Sequence, residues 1–245
     1  MADQTRIREL SENYNAVKLE IENAAKAANV PSPRLIAVSK YKPVEDIKAL
    51  YDLGHRHFGE NYVQELTEKA QQLPKDINWH FIGALQSNKC KVLAPIPNIF
   101  AVQTLDSESK AQKLNNSRPE SAPAINIYLQ INTSGEEEKS GIAVSDVDQI
   151  ETLAVFIVEK CPRLRLEGLM TIGSLAVSTG RDPNTDFTKL VELRNKLRCT
   201  IGRELDLSMG MSNDYVEAIR QGTTNVRVGS AIFGSRKTKE EIRPS

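Results

Sequence analysis

The chain has 245 residues, of which 40% are hydrophobic and 26% charged, and its 32 basic residues are balanced by 32 acidic ones. This balance is ordinary for a soluble globular protein, and it argues against nucleic acid or an anionic membrane as a partner. No apolar stretch approaches the ~20 residues that span a bilayer. The length suits one large domain, since (β/α)8 barrels often run to about 250 residues.

The N-terminal segment is predicted to form an amphipathic helix that packs on the domain. Its apolar residues recur at steps of three and four, at Ile7, Leu10, Tyr14, Val17 and Ile21. Acidic residues are frequent there and an apolar core is missing, so we expect neither a secretory signal nor a transit peptide. The three cysteines form no CxxC pair and the three histidines lack metal-ligand spacing. A reducing compartment, the cytoplasm, and no metal site are therefore expected.

Short apolar runs alternate with amphipathic segments along the rest of the chain. The predicted strands are Arg34–Ser39, His57–Gly59, Trp79–Gly83, Ile99–Gln103, Ile125–Ile131, Leu166–Thr171, Leu205–Met209 and Val226–Val228. The predicted helices between and after them are Val44–Leu53, Tyr62–Gln72, Lys89–Leu93, Ser107–Asn116, Val144–Glu159, Asp186–Cys199 and Tyr215–Arg220. This alternation indicates a parallel sheet with crossover helices.

The predicted fold is a single-domain (β/α)8 barrel of the TIM type, covering about residues 30–235, with the extra N-terminal helix. Eight units in this length favour a closed barrel over a doubly wound open sheet. No GxGxxG motif opens a helix after the first strand, which disfavours a nucleotide-binding open sheet. The polar loop Ser174–Asp186 is predicted to be a mobile flap rather than a domain boundary.

Lys40 closes the first apolar run, Leu35–Lys40. Parallel barrels build their active sites at the carboxyl ends of the strands, so Lys40 is predicted to lie at the functional rim. A lysine among apolar neighbours is disfavoured in its charged form and can form a Schiff base with an aldehyde. The alternative is a lysine that marks a strand end and points into solvent.

Three further residues lie at or near predicted strand ends. Asn61 follows the second strand, where it would either donate a hydrogen bond to a ligand oxygen or cap the next helix. His80 is expected to be a core histidine whose ring is hydrogen-bonded inside the barrel. Met170 ends the sixth strand, where packing accounts for it, although it could also line a ring-shaped ligand.

The loops after the seventh and eighth strands are rich in serine and glycine. Such loops often bind phosphate in this fold, through backbone N–H groups at the start of a short helix. Gly229 would permit close approach of the backbone, while Ser208, Ser212 and Ser230 would add hydroxyl groups. The alternative is that the glycines are turn residues and that Ser212 or Asn213 caps the following helix.

Arg227 lies in the last strand and shares a face with Gly229, because alternate strand residues point to one side. An arginine inside a barrel needs a partner, which a ligand ring nitrogen or a protein carboxylate could supply. A Schiff-base lysine, a phosphate cradle and an arginine for a ring nitrogen together indicate a site for pyridoxal 5′-phosphate (PLP). Because arginine stays protonated, it would leave the ring nitrogen unprotonated and weaken the ring as an electron sink.

The sequence strongly resembles the pyridoxal phosphate homeostasis protein family, single barrels related to the barrel domain of alanine racemase. The matching segments lie between about residues 30 and 235 and include Ala37–Lys40, Phe58–Glu65, His80–Gly83, Gln130–Asn132, Lys139–Gly141, Gly168–Gly173, Ser208–Ser212 and Val226–Gly234. The resemblance implies a Schiff base between PLP and Lys40. It also implies phosphate contacts from Ser208, Ser212, Gly229 and Ser230, a ring contact from Arg227, and a place for Asn61 near the cofactor.

The resemblance further implies a role in balancing PLP pools rather than an enzymatic turnover. Members of the family are chiefly cytosolic, with mitochondrial association in some eukaryotes, and apo PLP-dependent enzymes are candidate recipients. Racemases of this fold use a second base from an additional β domain, and the charged tail Ser235–Ser245 is expected to be too short to supply one. We expect a monomer. A PLP-dependent amino-acid racemase and a PLP-independent barrel that binds a sugar phosphate remain as alternatives.

Overall fold

In the computed structural model, which describes residues 3–136, 138–174, 177 and 183–234, eight parallel strands close into a barrel. The eight strands of the ring are β1 Arg34–Val38, β2 His57–Glu60, β3 Asn78–Phe81, β4 Ile99–Leu105, β5 Ile125–Asn132, β7 Leu164–Met170, β8 Asp206–Ser208 and β9 Asn225–Val228, and a ninth short strand, β6 Ile142–Ala143, pairs with β5. The ring runs β1-β2-β3-β4-β5-β7-β8-β9, and β9 pairs with β1 to close it. Because all these strands are parallel, their carboxyl ends lie at one rim.

Helices follow the strands and cover the outside of the barrel. They are α1 Gln4–Ala28, α2 Val44–Asp52, α3 Val63–Gln72, α4 Cys90–Leu93 with a 3-10 turn Ser87–Lys89 before it, α5 Glu108–Ser117, α6 Val147–Lys160, α7 Thr185–Ile201, α8 Tyr215–Arg220 and α9 Ser230–Phe233. The predicted (β/α)8 barrel with an extra N-terminal helix is confirmed. None of the described helices is both long and apolar enough to cross a membrane.

The N-terminal helix α1 forms where the apolar spacing predicts it. Asp3 caps its start by accepting a hydrogen bond from the Thr5 N–H, and Asn29 ends it in the left-handed conformation with φ 54°. Its buried stripe consists of Leu10, Tyr14, Val17, Ile21 and Ala25, and it packs against α2, α8 and α9. Helix α1 therefore extends the core outside the helices that flank β1 and β9.

Successive side chains of a strand point alternately to the outside and the inside of the barrel, so the protein has two separate packed regions. Outward-facing residues such as Ile127 and Leu129 join the large apolar core beneath the helices. Ala101, Tyr128 and Met170 form a separate small cluster inside the barrel. The Tyr128 hydroxyl donates to an Asp206 carboxylate oxygen at 3.1 Å, so even the middle of the barrel is partly polar.

One short strand was not predicted from the sequence. Strand β6 pairs in parallel with the end of β5, and helix α6 consequently begins at Val147 rather than Val144. Gly141 permits this pairing, because its φ is 114° and an added Cβ would lie 2.9 Å from the Asn132 nitrogen. Most of the loop Ser174–Asp186, which was predicted to be a flap, lies outside the described residues, as does the tail Ser235–Ser245.

Candidate functional site

A cavity of about 480 Å³ opens at the carboxyl-terminal rim of the barrel. Apolar side chains of Val38, Ile82 and Met170 form part of its wall. The predicted site residues that line it are Lys40, Asn61, Ser212, Arg227, Gly229 and Ser230. Ser208 is the predicted residue that does not line it. The fold thus brings residues from β1, β2, β9 and the loop after β8 to one space.

Lys40 lies in a tight turn immediately after β1. The strand ends at Val38, and the Lys42 N–H donates to the Ser39 carbonyl at 3.0 Å to close the turn. Tyr41 occupies the left-handed region with φ 62°, a conformation that costs a residue with a side chain about 1–3 kcal/mol. This turn directs the half-buried Lys40 to the cavity wall.

Glu60 is buried at the end of β2, next to this turn. One carboxylate oxygen, Oε1, accepts hydrogen bonds from Ser39 Oγ at 2.6 Å and from Lys69 Nζ at 2.7 Å. The other oxygen, Oε2, is buried with no hydrogen-bond partner among the described residues. Burial raises the pKa of Glu60 to about 7, although attraction to Lys69 acts in the opposite direction.

The raised pKa of Glu60 predicts a stability difference that depends on pH. The folded protein holds a proton on Glu60 between pH 4.5 and about 7, whereas the unfolded chain does not. This stabilisation is complete below pH 4.5 and is lost as the pH rises through 7. Urea unfolding measured from pH 5 to 8 gives the free energy of unfolding of wild type and of Glu60→Gln. Over this range the wild-type value should fall by at most about 3 kcal/mol relative to that of Glu60→Gln, since one pKa unit is about 1.4 kcal/mol. A difference that stays constant with pH would contradict the assignment.

Asn61 does not cap the helix that follows it, so that alternative is wrong. Helix α3 begins at Val63, Tyr62 occupies the cap position, and no side-chain capping bond is present. The Asn61 Oδ1 atom is instead buried without a partner among the described residues, at the cavity wall. Gly83 allows this arrangement, because a Cβ there would lie only 1.9 Å from the Asn61 carbonyl oxygen. Asn61 therefore contributes to the lining of the cavity rather than to a helix cap.

The loops after β8 and β9 meet on one side of the cavity. Ser212 Oγ accepts from the Ala231 N–H at 3.5 Å, and Ser230 begins α9. The Ile232 and Phe233 N–H groups donate to the Gly229 carbonyl, so at this helix start the Ser230 N–H is the one without a hydrogen-bond partner among the described residues and can face an anion. Gly229 lies close to β1, since a Cβ there would be 3.3 Å from the Val38 carbonyl oxygen. Hydroxyl groups and backbone N–H groups thus converge on this wall.

The predicted cap of the helix after β8 is wrong. Helix α8 begins at Tyr215 with Asp214 at its cap position, whereas Ser212 or Asn213 was expected. The Asp214 carboxylate accepts from the Met211 N–H at 2.7 Å and closes the loop on itself. The helix begins at Tyr215 as predicted, and Ser212 lies at the cavity rather than at the helix end.

Arg227 is 4% exposed and reaches the cavity from β9. Its guanidinium donates to Ser208 Oγ at 2.7 Å and to the Thr171 carbonyl at 2.8 Å. Burial lowers the pKa of Arg227 to about 10, and attraction to Asp214 partly offsets this effect. Within the described residues no carboxylate forms a salt bridge with Arg227, and the two hydrogen-bond partners of this buried cation, Ser208 and the Thr171 carbonyl, are neutral. The remaining guanidinium N–H groups are suited to a ligand acceptor.

Ser208 belongs to a hydrogen-bonded chain that crosses the barrel interior. Its hydroxyl donates to Gln103 Oε1 at 2.6 Å, Gln103 Nε2 lies 3.1 Å from His80 Nδ1, and His80 Nε2 lies 2.9 Å from His57 Nδ1. Because Arg227 can only donate, the Ser208 hydroxyl accepts from it and donates to Gln103. The Gln103 amide then donates to His80 Nδ1, and His80 Nε2–H donates to His57 Nδ1. The His80 ring is then neutral, and burial holds the pKa of His80 well below its ordinary value. The expected hydrogen-bonded core histidine is confirmed.

Three charged residues at the cavity were not predicted to be site residues. Lys42 Nζ donates to the Phe233 and Gly234 carbonyls, and Lys139 Nζ donates to the Gly173 carbonyl at 2.8 Å. Asp214 also lines the cavity. They lie in loops whose path depends on tertiary contacts, and only Lys139 fell within a motif quoted from the sequence. Among the described residues, no group of three or more His, Cys, Asp or Glu side chains could hold a metal ion.

Comparison with known proteins places the chain in a family. Residues 13–237 match the family described as the alanine racemase N-terminal domain. The pyridoxal phosphate homeostasis protein of Schizosaccharomyces pombe is 46% identical over 224 residues, which cover 91% of this chain and 92% of that protein. The chain belongs to the pyridoxal phosphate homeostasis protein family. This confirms the resemblance that the sequence motifs indicated.

Other relatives of this homeostasis family span similar lengths. The human pyridoxal phosphate homeostasis protein is 45% identical over 224 residues, covering 86% of this chain and 80% of the human protein. The structure of PipY from Synechococcus elongatus PCC7942, solved with PLP bound, is similar to this chain with a TM-score of 0.74 and 29% identity. The alignment covers 92% of this chain and 100% of the PipY chain.

Proposed function

We propose that the protein binds PLP in the rim cavity, holds it as a Schiff base on Lys40, and acts in intracellular PLP homeostasis. One observation carries the proposal: an amine, a buried guanidinium and a cluster of hydroxyl and N–H groups face the same cavity. The names of the relatives in S. pombe and human, and the PLP bound in PipY, support the same ligand.

The cavity fits this cofactor in size and chemistry. Its volume of about 480 Å³ is typical of a small-molecule site. Val38, Ile82 and Met170 offer apolar surface to an aromatic ring. The hydrogen-bond partners of Arg227 are neutral and leave guanidinium N–H groups that a bound ring and its substituents can satisfy.

Each residue is assigned one contact. Lys40 would form the C=N bond with the aldehyde carbon, with loss of water. Ser212, Ser230 and the backbone from Gly229 into α9 would hold the phosphate, and Arg227 would face the ring nitrogen. The phosphate contact of Ser208 stays a prediction, since its hydrogen bonds support a role in orienting Arg227.

We further propose that the protein carries PLP without turning over a substrate. PLP supplies an electrophilic aldehyde and a ring that accepts electrons, and the ring accepts them best when its nitrogen is protonated. An arginine at that nitrogen does not give up its proton, so Arg227 would weaken this property. The carrier would work in the cytoplasm and deliver PLP to apo PLP-dependent enzymes.

An amino-acid racemase is the second candidate, because the family that matches residues 13–237 is described as the N-terminal domain of alanine racemase. The test is to load the protein with PLP and incubate it in deuterated water with a panel of amino acids. The carrier predicts a visible absorption band and no exchange of the α-proton in NMR spectra. Exchange that is lost in Lys40→Ala would identify a racemase, and failure to bind PLP at all would favour a PLP-independent barrel.

A further inference from the structure

We infer that Glu60, Glu65 and Lys69 form a clamp that positions Lys40 for its reaction, a role that rests on the proposed function. Glu60 and Lys69 are buried and Glu65 is partly exposed, on the side of the Ser39–Lys42 turn where β2 and α3 lie. The three members of the clamp do not line the cavity and cannot touch a ligand there. They act through the backbone and side chains on either side of Lys40.

Lys69 is the centre of the clamp and is 5% exposed. Its ammonium donates to the Ser39 carbonyl at 2.8 Å and to Glu60 Oε1 and Glu65 Oε1 at 2.7 Å each. These three bonds use all the donors that a lysine has. One of them ends on the backbone of the residue that precedes Lys40, so helix α3 is tied directly to the turn.

The carboxylates hold the turn at two more points. Glu60 accepts from the Ser39 hydroxyl at 2.6 Å, and Glu65 accepts from the Tyr41 N–H at 2.7 Å. The residue before Lys40 is thus held by the Lys69 ammonium and by Glu60, and the residue after it by Glu65. Hydrogen bonds to a charged group are shorter and stronger than those between neutral groups.

The conformation of the turn explains why such a clamp is needed. Tyr41 holds φ 62°, and its exposed side chain contacts the Tyr62 ring and donates to the Tyr62 hydroxyl. A strained residue persists only where its surroundings determine its conformation. The bond from the Tyr41 N–H to Glu65 fixes the backbone of Tyr41 itself on the side of the turn that faces α3. Relaxation of Tyr41 would rotate the peptide that follows Lys40 and move its amine.

The experiment compares two substitutions on the same helix. Glu65→Leu removes the acceptor of the Tyr41 N–H at a partly exposed position, whereas Glu68→Leu makes the same change at an exposed residue of α3 that does not touch the turn. Each variant is mixed with PLP, reduced with borohydride at successive times, and analysed by mass spectrometry for the adduct on Lys40. Thermal unfolding of each variant is measured alongside.

Glu65→Leu should form the Lys40 adduct about tenfold more slowly, as expected for the loss of about 1.4 kcal/mol. Glu68→Leu should match wild type, and Glu65→Gln should recover most of the rate because its amide oxygen still accepts from Tyr41. Lys69→Met should be slower still, with Lys48→Met as its exposed control. A lowered melting temperature with unchanged adduct rates would make the clamp purely structural and overturn the inference. Wild type without any adduct would instead refute the proposed function.

Discussion

Lys40→Ala is expected to abolish the visible absorption band that forms when PLP is added to the protein. Lys40 is the cavity-lining lysine that follows β1 directly, and its amine is the group proposed to bond the aldehyde. Without it, PLP keeps only its phosphate and ring contacts. The affinity should fall tenfold or more, that is by at least about 1.4 kcal/mol, in a titration followed by absorbance and equilibrium dialysis.

The control for this substitution is Lys48→Ala, which removes an exposed lysine paired with Asp52 on α2. This variant should bind PLP and develop the band as wild type does. Lys42 and Lys139 also line the cavity, so they are the rival amines. If Lys40→Ala kept a full band and one of these two lysines carried the cofactor, the assignment of Lys40 would be wrong.

Arg227→Glu is expected to shift the absorption maximum of bound PLP. The wild-type guanidinium donates to the Thr171 carbonyl and stays protonated. A glutamate at the same buried position would face the Thr171 carbonyl and lie near Asp214, and both effects favour its protonated form. Its proton could then be shared with the ring nitrogen, which changes the electronic state of the ring.

Arg227→Gln separates this effect from the mere loss of the cation. The amide can still donate a hydrogen bond to Thr171, but it brings no acidic proton. We expect Arg227→Gln to weaken PLP binding with a much smaller spectral shift than Arg227→Glu. Identical spectra for wild type, Arg227→Gln and Arg227→Glu, with PLP bound in each, would mean that Arg227 does not contact the ring.

The fold could be predicted because two periodicities stand out in the sequence. The stripe from Leu10 to Ile21 predicted α1, and the apolar runs predicted all eight barrel strands. Strand ends were less certain, because hydrogen bonding in the barrel rather than side-chain pattern decides where pairing stops. Strand β6 could not be predicted, since two residues beside Gly141 carry too little pattern and pair only once β5 is in place.

The site could be predicted where function depends on the end of a strand. Lys40, Asn61, Arg227 and Gly229 lie on or directly after strands, and the barrel places them at one rim. Ser208 also lies at a strand end, but its hydroxyl donates to Gln103, which is 105 residues away in sequence. The sequence pattern does not predict this partner.

The clamp of Glu60, Glu65 and Lys69 could not be predicted either, because it also depends on hydrogen bonds between residues of different elements. In the sequence these three residues are indistinguishable from other charged residues of a strand and a helix. They contact Ser39 only because α3 packs against the turn. Long-range hydrogen bonds of buried polar groups are thus the part of the site that the sequence did not predict.

The most direct test of the central claim is borohydride reduction of the wild-type protein with PLP, followed by peptide mapping with mass spectrometry. The account predicts one pyridoxyl adduct per chain, on the peptide that contains Lys40. Adducts spread over several lysines, an adduct on a lysine other than Lys40, or no adduct at saturating PLP would contradict it.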